Sequence, residues 1–116
     1  MNRSFGIAAG FALATAATAA IATPAGAVDF SCRDASNAAE RAICADARLS
    51  QLDDRMATVY GRLWSVSDHR SRLALRDRQR RFLDSRNACG WNTGCIRGAY
   101  LDQISVLDGK LVESGD

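Results

Sequence analysis

Residues 49–64 read LSQLDDRMATVYGRLW, and within them Leu49, Leu52, Met56, Val59 and Leu63 recur at spacings of 3, 4, 3 and 4. That heptad-like stripe predicts an amphipathic helix suited to antiparallel packing. Tyr60 and Trp64 widen the stripe, and Asp46 stands where a cap for it belongs. Upstream, Asn37-Ala38-Ala39-Glu40 has the form of a capping box, with Asn37 as N-cap and Glu40 reaching back. It predicts a short helix to about Cys44 or Ala45. Downstream, Ser65-Val66-Ser67-Asp68 reads as a turn, with Ser67 or Asp68 capping a helix from about His69 to Asn87. The apolar members of that helix are Leu73, Leu75, Phe82 and Leu83, with Ala74 beside them. Cys89 to Cys95 reads as a tight loop. A last helix follows, with Ile96, Tyr100, Ile104, Leu107 and Leu111 at spacings of 4, 4, 3 and 4. No strand alternation, repeat, linker or second domain is visible. The expected fold is all-α: a small antiparallel bundle of three main helices plus a short N-terminal helix.

The first 27 residues have a different character. Arg3 supplies a positive start, an Ala-rich apolar run extends from Phe5 to about Ala22, and Pro24-Ala25-Gly26-Ala27 follows. A basic start, an apolar middle and an Ala-x-Ala exit define a secretory signal peptide, cut after Ala27. The competing reading is a membrane anchor, since the run is nearly long enough to span a bilayer. Its Ala-rich composition and the cleavage site directly after it favour removal. A lipoprotein would carry Cys at the cut, whereas the first Cys is Cys32, after Asp29-Phe30-Ser31. Residues 28–116 are therefore read as one soluble, unanchored domain in the periplasm or outside the cell.

So small a domain buries a modest core, and exported domains of this size are often stapled. All four Cys, at 32, 44, 89 and 95, lie after the leader, which reads as two disulfides. Zinc is the rival reading, but Cys89 and Cys95 are too far apart for a knuckle and His69 is near no Cys. Three connectivities are open. Cys32–Cys44 with Cys89–Cys95 is preferred because each closes a short local loop, at about 2–3 kcal/mol apiece by chain entropy. The alternatives would stabilise more by the same reasoning, so energy does not choose among them.

Loss of the leader takes Arg3 with it and leaves 14 basic against 13 acidic residues, with Lys110 the only Lys. Arg is the better residue for lasting bidentate contacts with carboxylates. Six Arg crowd residues 70–81, and Arg72, Arg76 and Arg80 form a like-charged row one turn apart. Asp77 with Arg81 and Arg80 with Asp84, each at i,i+4, would pair part of that charge. The row is either a solvated face or a docking surface for an anionic partner. Nucleic acid does not suit an exported protein. Trp91, between Gly90 and Gly94, either anchors a partner or lies over the adjacent disulfide.

Catalysis has little support. Ser67-Asp68-His69 are sequence neighbours, which cannot form a relay drawn from separated parts of a fold. Asp53 and Asp54 point in different directions on a helix, so one faces solvent and the other is available to an Arg of a neighbouring helix. No Gly-rich phosphate loop is present. No catalytic, cofactor-binding or metal-ligating residue is assigned.

Several positions fall together in one order. They are Phe30-Ser31-Cys32, Ala39-Glu40, Ile43-Cys44-Ala45-Asp46, Leu49, Leu52-Asp53 and Tyr60, then Gln79 to Leu83, Arg86 to Gly90, Cys95-Ile96, Tyr100 and Leu107. This pattern resembles the LprI-like lysozyme-inhibitor family of bacterial envelope proteins, over about Phe30 to Leu111. The resemblance implies a small helical fold with disulfides, no cofactor, and a role in blocking lysozyme. Two departures stand out. The family commonly has Trp where this chain has Phe82, and its name-giving member is a lipoprotein, whereas this chain lacks the lipid site. Common animal lysozymes are basic, with catalytic carboxylates in the cleft. An inhibitor with this near-neutral, Arg-rich surface would insert an Arg or Trp91 there. The alternative is an envelope interaction or stress protein of the same bundle type that inhibits no lysozyme.

Overall fold

The structure is a computed structural model that describes residues 30 and 32–115. The expected leader, residues 1–27, and its expected cleavage site lie outside the described residues. A single 3-10 turn at Cys32–Asp34 precedes four helices: α1 (Ala38–Ala45), α2 (Ala47–Val66), α3 (His69–Ala88) and α4 (Thr93–Glu113). The described residues contain no strand. The fold is the expected bundle with a short helix pinned to it.

Each helix begins at a side-chain cap. Asn37 Oδ1 accepts the Glu40 N–H, Asp46 Oδ1 accepts those of Arg48 and Leu49, Asp68 Oδ1 that of Ser71, and Asn92 Oδ1 that of Cys95. These side chains satisfy amides that the first helical turn leaves without partners. The Ser71 amide, helped by its hydroxyl, holds the Asp68 carboxyl below its ordinary range. Glu40 closes its box one residue early. Its Oε1 accepts from Ser36 N–H at 2.8 Å, which leaves Oε2 for another partner.

α2 and α4 run parallel and pack most closely, α3 returns antiparallel beside α4, and α1 crosses the end near the α4 N-terminus, touching all three. The α2 and α4 stripes meet in the core. Leu49, Met56, Val59 and Leu63 are buried from one, and Ile96, Tyr100, Ile104, Leu107 and Leu111 from the other. Leu52 is only half-buried. α1 adds Ala39, Ala42 and Ile43, and Ser50 Oγ donates to the Ile43 carbonyl at 2.7 Å to hold it. No helix among the described residues is long and apolar enough to cross a membrane.

Three sequence expectations need correction. Ser65 and Val66 continue α2 instead of turning, because Ser65 and Ser67 hydroxyls return to the Arg62 and Leu63 carbonyls. The link to α3 is Ser67-Asp68 alone. Thr93, Gly94 and Cys95 belong to α4, not to the loop, because Asn92 starts the helix. On α3, Leu73 is 52% exposed and Ala74 is exposed too. Leu73 and Leu75 sit two residues apart and cannot share a helix face.

The disulfides are Cys32–Cys44 and Cys89–Cys95. The first ties the 3-10 turn to the end of α1. The second bridges the α3 C-cap to the first turn of α4.

Candidate functional site

The inward face of α3 is Leu75, Gln79, Phe82 and Arg86, at spacings of 4, 3 and 4. Two of these four are polar, and both find partners inside. Gln103 Nε2 donates to Gln79 Oε1 at 3.1 Å, and Gln79 Nε2 points at Met56 Sδ at 3.5 Å. Arg86 is 2% exposed and reaches all four helices. Its Nη2 donates to Glu40 Oε2 of α1 at 3.2 Å, and its Nη1 to Tyr100 Oη of α4 at 3.2 Å. Nε and Nη2 donate to Asn87 Oδ1 of α3, at 3.1 and 2.8 Å. Tyr100 Oη in turn donates to Asp53 Oδ1 of α2 at 2.6 Å, and that carboxylate lies 3.9 Å from Arg86 Nη1. The Phe30 ring stands over the guanidinium, 5.4 Å from centroid to Cζ. Asp53 is fully buried and Asp54 exposed, so the acidic pair divides as its spacing implies. One cation thus faces two carboxylates and a phenol, with Asp53 and Tyr100 fully buried and Glu40 at the edge, part-exposed. Three surface pockets are lined by other residues. The network is a structural clamp that ties the four helices together.

Burial raises the ionisation of Tyr100 above its ordinary range, and the hydrogen bond to Asp53 and that carboxylate's charge add to it. Folding therefore favours the neutral phenol. That contribution is intact below about pH 10 and is lost as pH rises beyond it. In an alkaline titration, Tyr100 phenolate absorbance is expected to appear only as helical circular dichroism disappears. Tyr100 ionising in a fully helical protein, which a Tyr100→Phe variant would assign, would contradict this burial.

Trp91 has a different setting. α3 ends with Cys89 N–H on the Arg86 carbonyl and Gly90 N–H on that of Asn87. Gly90 takes φ +59°, the left-handed conformation that costs glycine nothing. Asn92 N–H returns to the Cys89 carbonyl and Asn92 caps α4. Trp91 is the tip of this turn, 61% exposed, with Cys89–Cys95 bridging its base. A large aromatic presented on a chain fixed from both sides loses little entropy on binding.

The Arg row does not survive as a row. Arg72 is half-buried. Its Nε donates to the Trp64 carbonyl at 2.9 Å and its guanidinium lies 5.0 Å over the Trp64 ring, which closes the end of α2. Arg80 pairs with Asp77 at 2.6 Å rather than with Asp84, and Arg81 pairs with the same carboxylate. Helical side chains lean toward the N-terminus, so Arg80 reaches the acid one turn before it. Of the three, Arg76 alone is exposed with no recorded partner among the described residues. The described residues hold no cluster of His, Cys, Asp and Glu fit for a metal ion.

An all-α bundle stapled at two corners, with a paired polar interior and an exposed aromatic turn, belongs to the class of small disulfide-bonded helical domains. The family described as "Lysozyme inhibitor LprI" matches residues 32–111, and the chain belongs to it. No curated protein and no solved structure matches the chain. Five polar members of the pattern, Glu40, Asp53, Arg86, Asn87 and Tyr100, meet in the buried clamp. They were legible as a pattern, but periodicity based on apolar residues did not show that they meet.

Proposed function

We infer that the chain is exported by its leader, cut after Ala27, and acts outside the cytoplasm as a protein-binding module of the lysozyme-inhibitor type. Two disulfides and the inhibitor family support an extracytoplasmic location. The observation that carries the binding role is Trp91, exposed on a clamped turn in a member of that family. In a lysozyme complex the indole enters the substrate cleft, where it excludes water around the catalytic carboxylates. Arg76 and Arg80 are the remaining charged candidates, since the Arg80 pair with Asp77 is exposed, whereas Arg72 is engaged by Trp64.

The test is cell-wall clearing by several lysozyme types with the mature protein in micromolar excess. Slowed clearing is expected, and Trp91→Ala is expected to weaken it about 30-fold or more, the loss of a central aromatic anchor. Unchanged helical circular dichroism in the variant separates lost contact from lost fold. Undiminished clearing with every lysozyme would sink the inhibitor reading and leave an envelope interaction module.

A further inference from the structure

A second surface lies beside the Trp91 turn. α2 and α4 run parallel there and leave a groove of about 520 Å³ between them. Arg48, Leu52 and Arg55 form its α2 wall, and Gly94, Arg97 and Leu101 its α4 wall. The positions on each wall are three or four residues apart, so each wall is one helix face. Buried Leu49 and half-buried Leu52 make an apolar floor, and Leu101 stays 44% exposed above it. Gly94 places no side chain in the upper mouth.

The charge of the groove is one-sided. Asp46 is the carboxylate in its lining, and its Oδ1 already accepts two amides of α2. Arg55 is held loosely by Asp108, 3.6 Å away between two exposed side chains, a contact too solvated to neutralise it firmly. Arg48 and Arg97 have no recorded ion pair among the described residues. Two free guanidiniums and a third weakly held one thus flank exposed leucine on a concave, elongated surface.

We propose that this α2/α4 groove docks an acidic amphipathic helix of a partner protein, with its leucine-type residues on Leu52 and Leu101 and its carboxylates on Arg48, Arg97 and Arg55. Charge complementarity selects an acidic occupant. The concave shape between two parallel helices suits a third helix laid into it better than a flat lipid surface. Guanidinium forks give carboxylates bidentate geometry as well as charge. The site does not depend on lysozyme inhibition, so a negative clearing assay leaves it standing.

The test uses the isotope-labelled mature chain and a synthetic amphipathic peptide with Leu along one face and Glu on both flanks. Amide shifts are expected in Arg48–Arg55 and Gly94–Leu101, and to weaken as salt rises. Arg48→Glu with Arg97→Glu should weaken binding roughly tenfold. The same double variant should regain binding to a peptide with Lys in place of Glu, a rescue that a misfolded domain could not give. Equal binding of a Gln version of the peptide would overturn the proposal. So would shifts confined to other faces, or binding to phosphatidylglycerol vesicles with none to the peptide.

Discussion

Arg86→Ala is expected to be among the most damaging single substitutions in the domain, lowering stability by about 3–5 kcal/mol. The size follows from what stays behind. Glu40 and Asp53 would face the interior without their cation, and Tyr100 Oη would lose one of its two partners. Removing one member of a buried ionic set costs far more than the set contributes, because the remaining charge keeps its desolvation penalty. For a domain of this size the melting temperature should fall by roughly 15–30 °C. Arg80→Ala is the control, since its pair with Asp77 is exposed, and it should cost no more than about 1 kcal/mol. Adding Glu40→Gln and Asp53→Asn to Arg86→Met should recover part of the loss, because no unpaired charge is then left inside. Urea midpoints check all three. An Arg86→Ala protein as stable as the Arg80→Ala control would refute the clamp.

Replacing Cys32 and Cys44 together by Ser is the second large effect. The bridge closes a 12-residue separation, and its removal should cost about 3 kcal/mol by chain entropy. The consequence should be local before it is global. α1 has eight residues, too few to be helical alone. It rests on its three buried apolar side chains, the Ser50 hydroxyl bond, the Glu40–Arg86 pair and this disulfide. Hydrogen exchange should therefore show α1 amides losing protection while those of α2 and α4 keep theirs. Removing Cys89–Cys95, with a separation of six, should cost less, about 2 kcal/mol. Uniform loss of protection across all four helices in the Cys32/Cys44 variant would show that α1 does not open separately.

The parts legible in the sequence are those where burial and hydrophobicity coincide. The α2 and α4 stripes were readable because their apolar residues keep an unbroken spacing of three and four, even with Ser50, Asp53 and Gln103 buried among them, and the caps at Asn37, Asp46 and Asp68 because their side chains act locally. α3 was the obscure element. Its inward face alternates apolar Leu75 and Phe82 with polar Gln79 and Arg86, so a search for apolar periodicity reached for Leu73, which faces water. The α2–α3 boundary was misplaced for a similar reason. Serine hydroxyls that can break a helix can also bond back into it, and neighbours alone do not say which. Among the candidate site residues, Trp91, for which the sequence left an anchor and a cover for the disulfide equally open, is exposed. The Arg row dissolved because Trp64 and Asp77, brought close by the fold and by side-chain lean, each take a member. The α2/α4 groove joins residues some 45 positions apart, beyond any local pattern.

The clamp around Arg86 also sets an order in time. Its partners come from positions 40, 53, 87 and 100, so a chain made N-terminus first carries Glu40 and Asp53 well before the cation appears. Tyr100, which links Asp53 to Arg86, arrives last. Until then the first two helices hold carboxylates that are better left in water, and half a domain has no incentive to close. The polar interior therefore closes only when nearly all of the domain is present, which makes its assembly an all-or-nothing event.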